Sequence, residues 1–147
     1  MKKWMILATI LAVLSLGSGL AIAAPPVKAP DFPVTMTVIL AGDCDRGEES
    51  IDIQRGQYFK VNLYAAGGTG YTWTLADHEF SLLELAGDSV EPVEPDSMRA
   101  GGRVKWSYYL KVKDEAAGQE VIKFVLKRGW EKTASPARSF DLTVVAR

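Results

Sequence analysis

The sequence predicts an all-β domain of seven to eight short strands. Apolar residues recur at every second position over most of the chain, the period of strands with one buried face. Turn signals built on Gly, Pro and Asp separate these runs at short intervals. Beyond the first 24 residues, no stretch shows helical spacing. One-sided alternation fits two sheets packed face to face, so the expected architecture is an antiparallel β-sandwich of immunoglobulin-like type.

The elements follow in order. Val34–Leu40 alternates, with Val34, Met36, Val38 and Leu40 on one side and Thr35 and Thr37 on the other. Residues 41–49 (AGDCDRGEE) form a polar turn region, and Ile51 and Ile53 mark a short strand at 50–53. After a turn at Arg55-Gly56, Gln57–Tyr64 points Phe59, Val61 and Leu63 inward and Lys60 and Asn62 outward. Tyr71–Ala76 follows a glycine-rich loop, then a polar bend at 77–79 and a weaker strand at Phe80–Leu85. Two prolines and three acids make residues 91–98 a loop that runs on to Gly102. Arg103–Lys113 is the clearest strand, with Val104, Trp106, Tyr108, Leu110 and Val112 on one face. A turn at 114–118 leads to Glu120–Lys127, which buries Ile122, Phe124 and Leu126. Residues 128–137 are a long loop, and Arg138–Ala146 closes the domain through Phe140, Leu142 and Val144. Trp73 and Trp106 lie on the inward alternation and are expected in the core, whereas Trp130 falls in a polar loop. Tyr71 fits the core rim and a binding surface equally well.

The chain of 147 residues divides into three parts. Residues 1–23 read as a secretory signal peptide: Lys2 and Lys3, an apolar run from Trp4 to Leu16, and the small-x-small site Ala21-Ile22-Ala23. An uncleaved anchor is the other reading, because apolar character continues to Ala24. Residues 24–33, with four prolines, form an extended, poorly ordered lead-in. Residues 34–147 are the folded domain. Removing 23 of 147 residues leaves 124, with 15 basic side chains against 18 acidic ones, a net charge of −3. That balance argues against nucleic-acid binding and gives no reason to expect a membrane partner once the signal is cleaved. The single Cys44 rules out an internal disulfide, so stability must come from the core.

Catalysis finds no support. Cys44 has no histidine nearby, and the single histidine, His78, sits in a polar bend between Asp77 and Glu79. No nucleophilic triad or zinc set can be assembled from one of each. Asp43, Asp45, Glu48 and Glu49 do not complete a calcium loop, and Glu91, Glu94 and Asp96 lack a partner base. The Gly67–Gly70 loop lacks the Lys-Ser/Thr ending and following helix of a phosphate cradle. The chain is read as a non-enzyme with no cofactor or metal.

Strand direction alternates in such a sandwich. The loops at 65–70, about 91–102 and 128–137 should therefore meet at one end, and the turns at 55–56 and 114–118 at the other. The distinctive residues gather at the first end: Gly67-Gly68-Thr69-Gly70-Tyr71-Thr72-Trp73, Arg99-Ala100-Gly101-Gly102 and Arg128-Gly129-Trp130. In order and spacing they resemble the chagasin-like inhibitors of papain-type cysteine proteases. That family carries Asn-Pro-Thr-Thr-Gly followed by aromatic-x-Trp, then Gly-x-Gly-Gly, then Arg-Pro-Trp. The resemblance covers the chain from about Val34 to its end. Ala66, Gly67 and Gly68 stand in place of the family's Asn, Pro and first Thr, Arg99 in place of a Gly, and Gly129 in place of a Pro. Losing the proline implies a looser first loop that costs more entropy to dock.

The resemblance implies a secreted or periplasmic, reversible, non-covalent inhibitor, a monomer whose partner is a papain-family cysteine protease. The loop carrying Thr69 would lie over the catalytic cysteine and histidine. Trp130 would pack on an aromatic patch beside the cleft, Arg128 would meet acidic groups there, and Gly101-Gly102 would contact the other side. The alternative is an immunoglobulin-like interaction or adhesion module that has kept the fold and lost the inhibitory loops.

Overall fold

In the computed structural model, residues 31–39, 46–76, 79–93 and 102–147 are described. They form eight strands: β1 (Val34–Ile39), β2 (Arg46–Ile53), β3 (Tyr58–Ala66), β4 (Tyr71–Leu75), β5 (Leu83–Pro92), β6 (Arg103–Val112), β7 (Gly118–Arg128) and β8 (Arg138–Ala146). They make two four-stranded sheets, β1-β3-β6-β5 and β2-β8-β7-β4. The chain is an all-β sandwich, as the alternation predicts. Phe59, Val61, Leu63, Leu110, Val112, Ile122, Phe124, Phe140, Leu142 and Val144 are all buried between the sheets. So are Trp73 and Trp106, whereas Trp130 is 68% exposed.

Three elements depart from the sequence reading. The outer pairs β1–β3 and β2–β8 are parallel, within an otherwise antiparallel arrangement. Strand β2 begins at Arg46, so the stretch 46–49 expected as turn is strand. It lies at a sheet edge and pairs residue for residue with β8, which needs backbone groups and no apolar pattern. Strand β5 spans 83–92 instead of 80–85, with an irregularity between Leu85 and Gly87 that breaks the period of two. A similar irregularity between Val34 and Met36 leaves only Val38 of β1 fully buried. The stretch read as a signal peptide, residues 24–30 of the lead-in, residues 40–45 with Cys44, residues 77–78 with His78, and residues 94–101 lie outside the described residues. At the end of the proline-rich lead-in, Phe32 stacks on Tyr58 with ring centroids 5.0 Å apart.

Directional bonds cross between the sheets. The Trp73 indole N–H on β4 donates to the Tyr64 carbonyl on β3 at 3.0 Å. The Tyr108 hydroxyl on β6 donates to the Trp73 carbonyl at 2.8 Å. Farther along, the buried Glu120 carboxylate on β7 accepts the backbone N–H groups of Ser81 and Leu82, at 2.9 and 2.7 Å. On the outer face of the first sheet, the Ser107 hydroxyl donates to Asn62 Oδ1 at 2.9 Å, a buried pair joining β6 to β3.

Burial, helped by the nearby Asp88 charge, pushes the Tyr108 hydroxyl up to about 12. The folded protein therefore holds this proton more tightly than the unfolded chain. The resulting stability is complete below the unfolded value near 10 and is lost as pH rises towards 12. Tyr108→Phe should cost about 1 kcal/mol in urea denaturation at neutral pH. It should also remove the part of the wild-type stability loss that falls between pH 10 and 12, which denaturation at both pH values checks.

Candidate functional site

The ladder places the strand ends that lead into the first loop, Gly102 and the third loop at one end of the sandwich. Ala66 at the end of β3 faces Arg103 at the start of β6, and Tyr71 at the start of β4 faces Arg128 at the end of β7. The loop at 67–70 thus passes from one sheet to the other. The second loop joins β5 to β6, and the third joins β7 to β8. At the opposite end, Gly56 N–H donates to the Val112 carbonyl beside the 113–117 turn.

The first loop is tied to both of its neighbours. Gly67 N–H donates to the Gly102 carbonyl of the second loop at 2.7 Å. A Cβ at position 67 would stand 2.8 Å from that same oxygen. Proline at this position would have no N–H to give and would crowd the carbonyl, so glycine here exchanges ring rigidity for a bond between loops. Within the loop, the Thr69 hydroxyl donates to the Ala66 carbonyl at 2.9 Å. Gly68 and Gly70 take φ of +74° and +77°, which favour glycine.

The third loop closes over the first. Arg128 Nε donates to the Thr69 carbonyl at 3.3 Å. The guanidinium carbon lies 4.4 Å from the Tyr71 ring centroid and 5.8 Å from that of Trp130, so the cation sits between two aromatic faces. Its Nη1 pairs with Glu131 at 3.4 Å. The Trp130 ring covers Gly70 so closely that a Cβ there would overlap the ring edge. Tyr71 is half-buried, packed on the core from within and covered by Arg128 from without.

The base of the second loop is secured separately. Val93 N–H donates to the Arg103 carbonyl at 2.9 Å. Lys105 Nζ meets Glu91 at 2.8 Å; that hydrogen bond holds the Glu91 carboxyl below its ordinary range and the Lys105 ammonium above its own. Beside these loops opens a cleft of about 640 Å³, lined by Ala65, Thr69, Tyr71 and Leu126, with Arg103 and Arg138 among its walls.

Of the residues singled out from sequence, Gly67, Gly68, Thr69, Gly70, Tyr71, Gly102, Arg128, Gly129 and Trp130 lie in this one cluster. Arg99, Ala100 and Gly101 lie outside the described residues. Glu131 was not anticipated, although its spacing of three from Arg128 is a readable signal. Among the described residues, no group of three His, Cys, Asp or Glu could hold a metal ion.

Residues 52–144 match the chagasin family of peptidase inhibitors, I42. The chain belongs to the chagasin family. It is a family of protease inhibitors, not enzymes. Among solved structures, the cysteine protease inhibitor EhICP2 from Entamoeba histolytica is similar at 25% identity and a TM-score of 0.60, covering 76% of this chain and 96% of its own. PbICP-C, solved in complex with falcipain-2, matches at 15% identity and a TM-score of 0.55, covering 76% and 98%. Amebosin matches at 23% identity and a TM-score of 0.53, covering 76% and 97%. The last two show the shared fold. A comparison with curated proteins returned no match. The first loop lacks the family proline, and the Gly67–Gly102 bond ties its entry to the second loop.

Gly70→Ala tests the packing of this end. The backbone strain at φ +77° should cost roughly 1–2 kcal/mol, and the new methyl should displace the Trp130 ring. Gly118→Ala is the control, with φ of +109° and open space around the added Cβ. Both variants should lose stability in thermal denaturation, and only the first should shift the Trp130 indole resonance.

Proposed function

We propose that this chagasin-family protein is a secreted or periplasmic, reversible, non-covalent inhibitor of papain-type cysteine proteases. The observation that carries this reading is Trp130, a large aromatic 68% exposed at the tip of a loop cluster that is otherwise bonded internally. A solvent-facing Trp on a fixed support has the character of an interface anchor. The turn at Gly67–Gly70 offers a backbone with almost no side-chain bulk, able to approach a catalytic cleft closely. Inhibition is then steric. The wedge occupies the cleft and keeps substrate out. The complexed relative, PbICP-C with falcipain-2, supports this choice of partner. The basic, apolar and small-x-small succession at 2–23 supports export, with cleavage after Ala23.

An interface of ordinary size would bury roughly 800 Å² on each partner. The test is titration of papain and a cathepsin with the chain from Ala24, after circular dichroism has shown folded β protein. One-to-one reversible inhibition is expected, and Trp130→Ala should weaken it by about 2 kcal/mol, roughly thirtyfold. Unchanged affinity in that variant would remove Trp130 from the interface. Absence of inhibition by folded protein at high micromolar concentration would favour the interaction-module reading.

A further inference from the structure

The family motif places an arginine two residues before the exposed tryptophan, and the resemblance assigns it to acidic groups on the protease. Its surroundings point elsewhere. Arg128 sits at the end of β7, directly across the ladder from Tyr71, so its backbone is fixed by the sheet. Its side chain is only 35% exposed. Nε is committed to the Thr69 carbonyl and Nη1 to Glu131. One aromatic ring lies within 4.4 Å of the guanidinium carbon and a second within 5.8 Å. Two of its five N–H donors, its charge and its aromatic neighbours are thus engaged inside the molecule.

We infer that Arg128 is an internal clamp: it positions the Gly67–Gly70 turn and the Trp130 ring for docking, and does not itself meet the protease. The loop has a specific need for such a clamp. Three of its four residues are glycines, and the family's proline is gone, so the backbone alone would sample many conformations. The Gly67–Gly102 bond holds the entry of the loop. The Thr69 hydroxyl closes the turn onto Ala66. The exit is held by Arg128 on the Thr69 carbonyl and by Trp130 across Gly70. Lysine could not replace arginine here, because an ammonium has no planar face to lie between Tyr71 and Trp130 and no fork to reach Thr69 and Glu131 together.

The functional consequence rests on the inhibitor reading, whereas the clamp can be observed in the free protein. Arg128→Lys and Arg128→Gln are compared with wild type, each checked for unchanged β circular dichroism. In free protein, ¹⁵N relaxation should give wild-type order parameters near 0.85 at residues 68–70, falling towards 0.6 in both variants. The Trp130 indole resonance should move towards its value in unstructured peptide. Against a sensitive protease, both variants should inhibit about tenfold more weakly, and in Arg128→Lys, which keeps the charge, the salt dependence of the association rate should remain that of wild type while the affinity falls. Wild-type order parameters at 68–70 in both variants would overturn the clamp. So would wild-type inhibition by Arg128→Lys alongside loss in Arg128→Gln, which would show that charge facing the protease is what matters. If wild type inhibits no protease, the inhibitor reading fails and the relaxation measurement still decides the clamp. A variant that does not fold is replaced by Glu131→Ala, in which loss of one tether should lower the same order parameters by a smaller amount; no change there would count against the clamp.

Discussion

Two sheets without a shared hydrogen-bonded ladder need directional contacts to fix their relative position, because apolar packing alone tolerates sliding. Trp73 supplies two of them at one residue. Its indole N–H reaches the Tyr64 carbonyl, and its own carbonyl receives the Tyr108 hydroxyl. The ring between these bonds is 1% exposed, so both lie where water competes little and an unmade bond would be costly. Trp73 also stands three residues beyond Gly70. The contact that sets one sheet on the other therefore sets the exit of the first loop, and through Tyr71 it sets the surface on which Arg128 lies.

Much of this fold was legible in the sequence where one face is buried. Strands β3, β6, β7 and β8 lie inside their sheets, so each must alternate apolar and polar residues, and their inward residues were readable one by one. Edge strands escape that requirement. The first half of β2 carries Arg46, Glu48 and Glu49, held by backbone pairing to β8, and polar sequence of this kind also reads as turn. The middle of β5 contains Gly87, Asp88 and Ser89, and the local irregularity shifts its period. Parallel pairing of the outer strands leaves no mark on periodicity at all, because it depends on how the chain crosses between sheets.

The candidate site divides in a similar way. That the first and third motifs meet beside Gly102 followed from strand alternation alone, since each lies at the same end of its strand. What each side chain touches did not follow. Proline absent at position 67 suggested slackness, yet the carbonyl that makes glycine suitable belongs to Gly102, a residue 35 positions away by the numbering. Tyr71, ambiguous between rim and surface, is both: its inner side meets the core and its outer side carries a cation. The pairing of Arg128 with Glu131 was within reach of simple spacing, whereas the stacking of two rings about the guanidinium required the third dimension.

The parallel β2–β8 ladder has a consequence for the order in which the domain can assemble. Arg46 finds its partner at Ser139, and Ile53 at Ala146, the last residue of the last strand. The Arg147–Asp52 contact at the end of the ladder spans 95 residues. Strand β2 therefore has no partner in its sheet until the C-terminal strand is available. The β7–β8 hairpin can form from neighbouring sequence, but β2 joins it only by closing nearly the whole chain, a step that is slow because its entropy is lost before its contacts are gained. A chain emerging from the ribosome therefore keeps this sheet incomplete until β8 itself has been released.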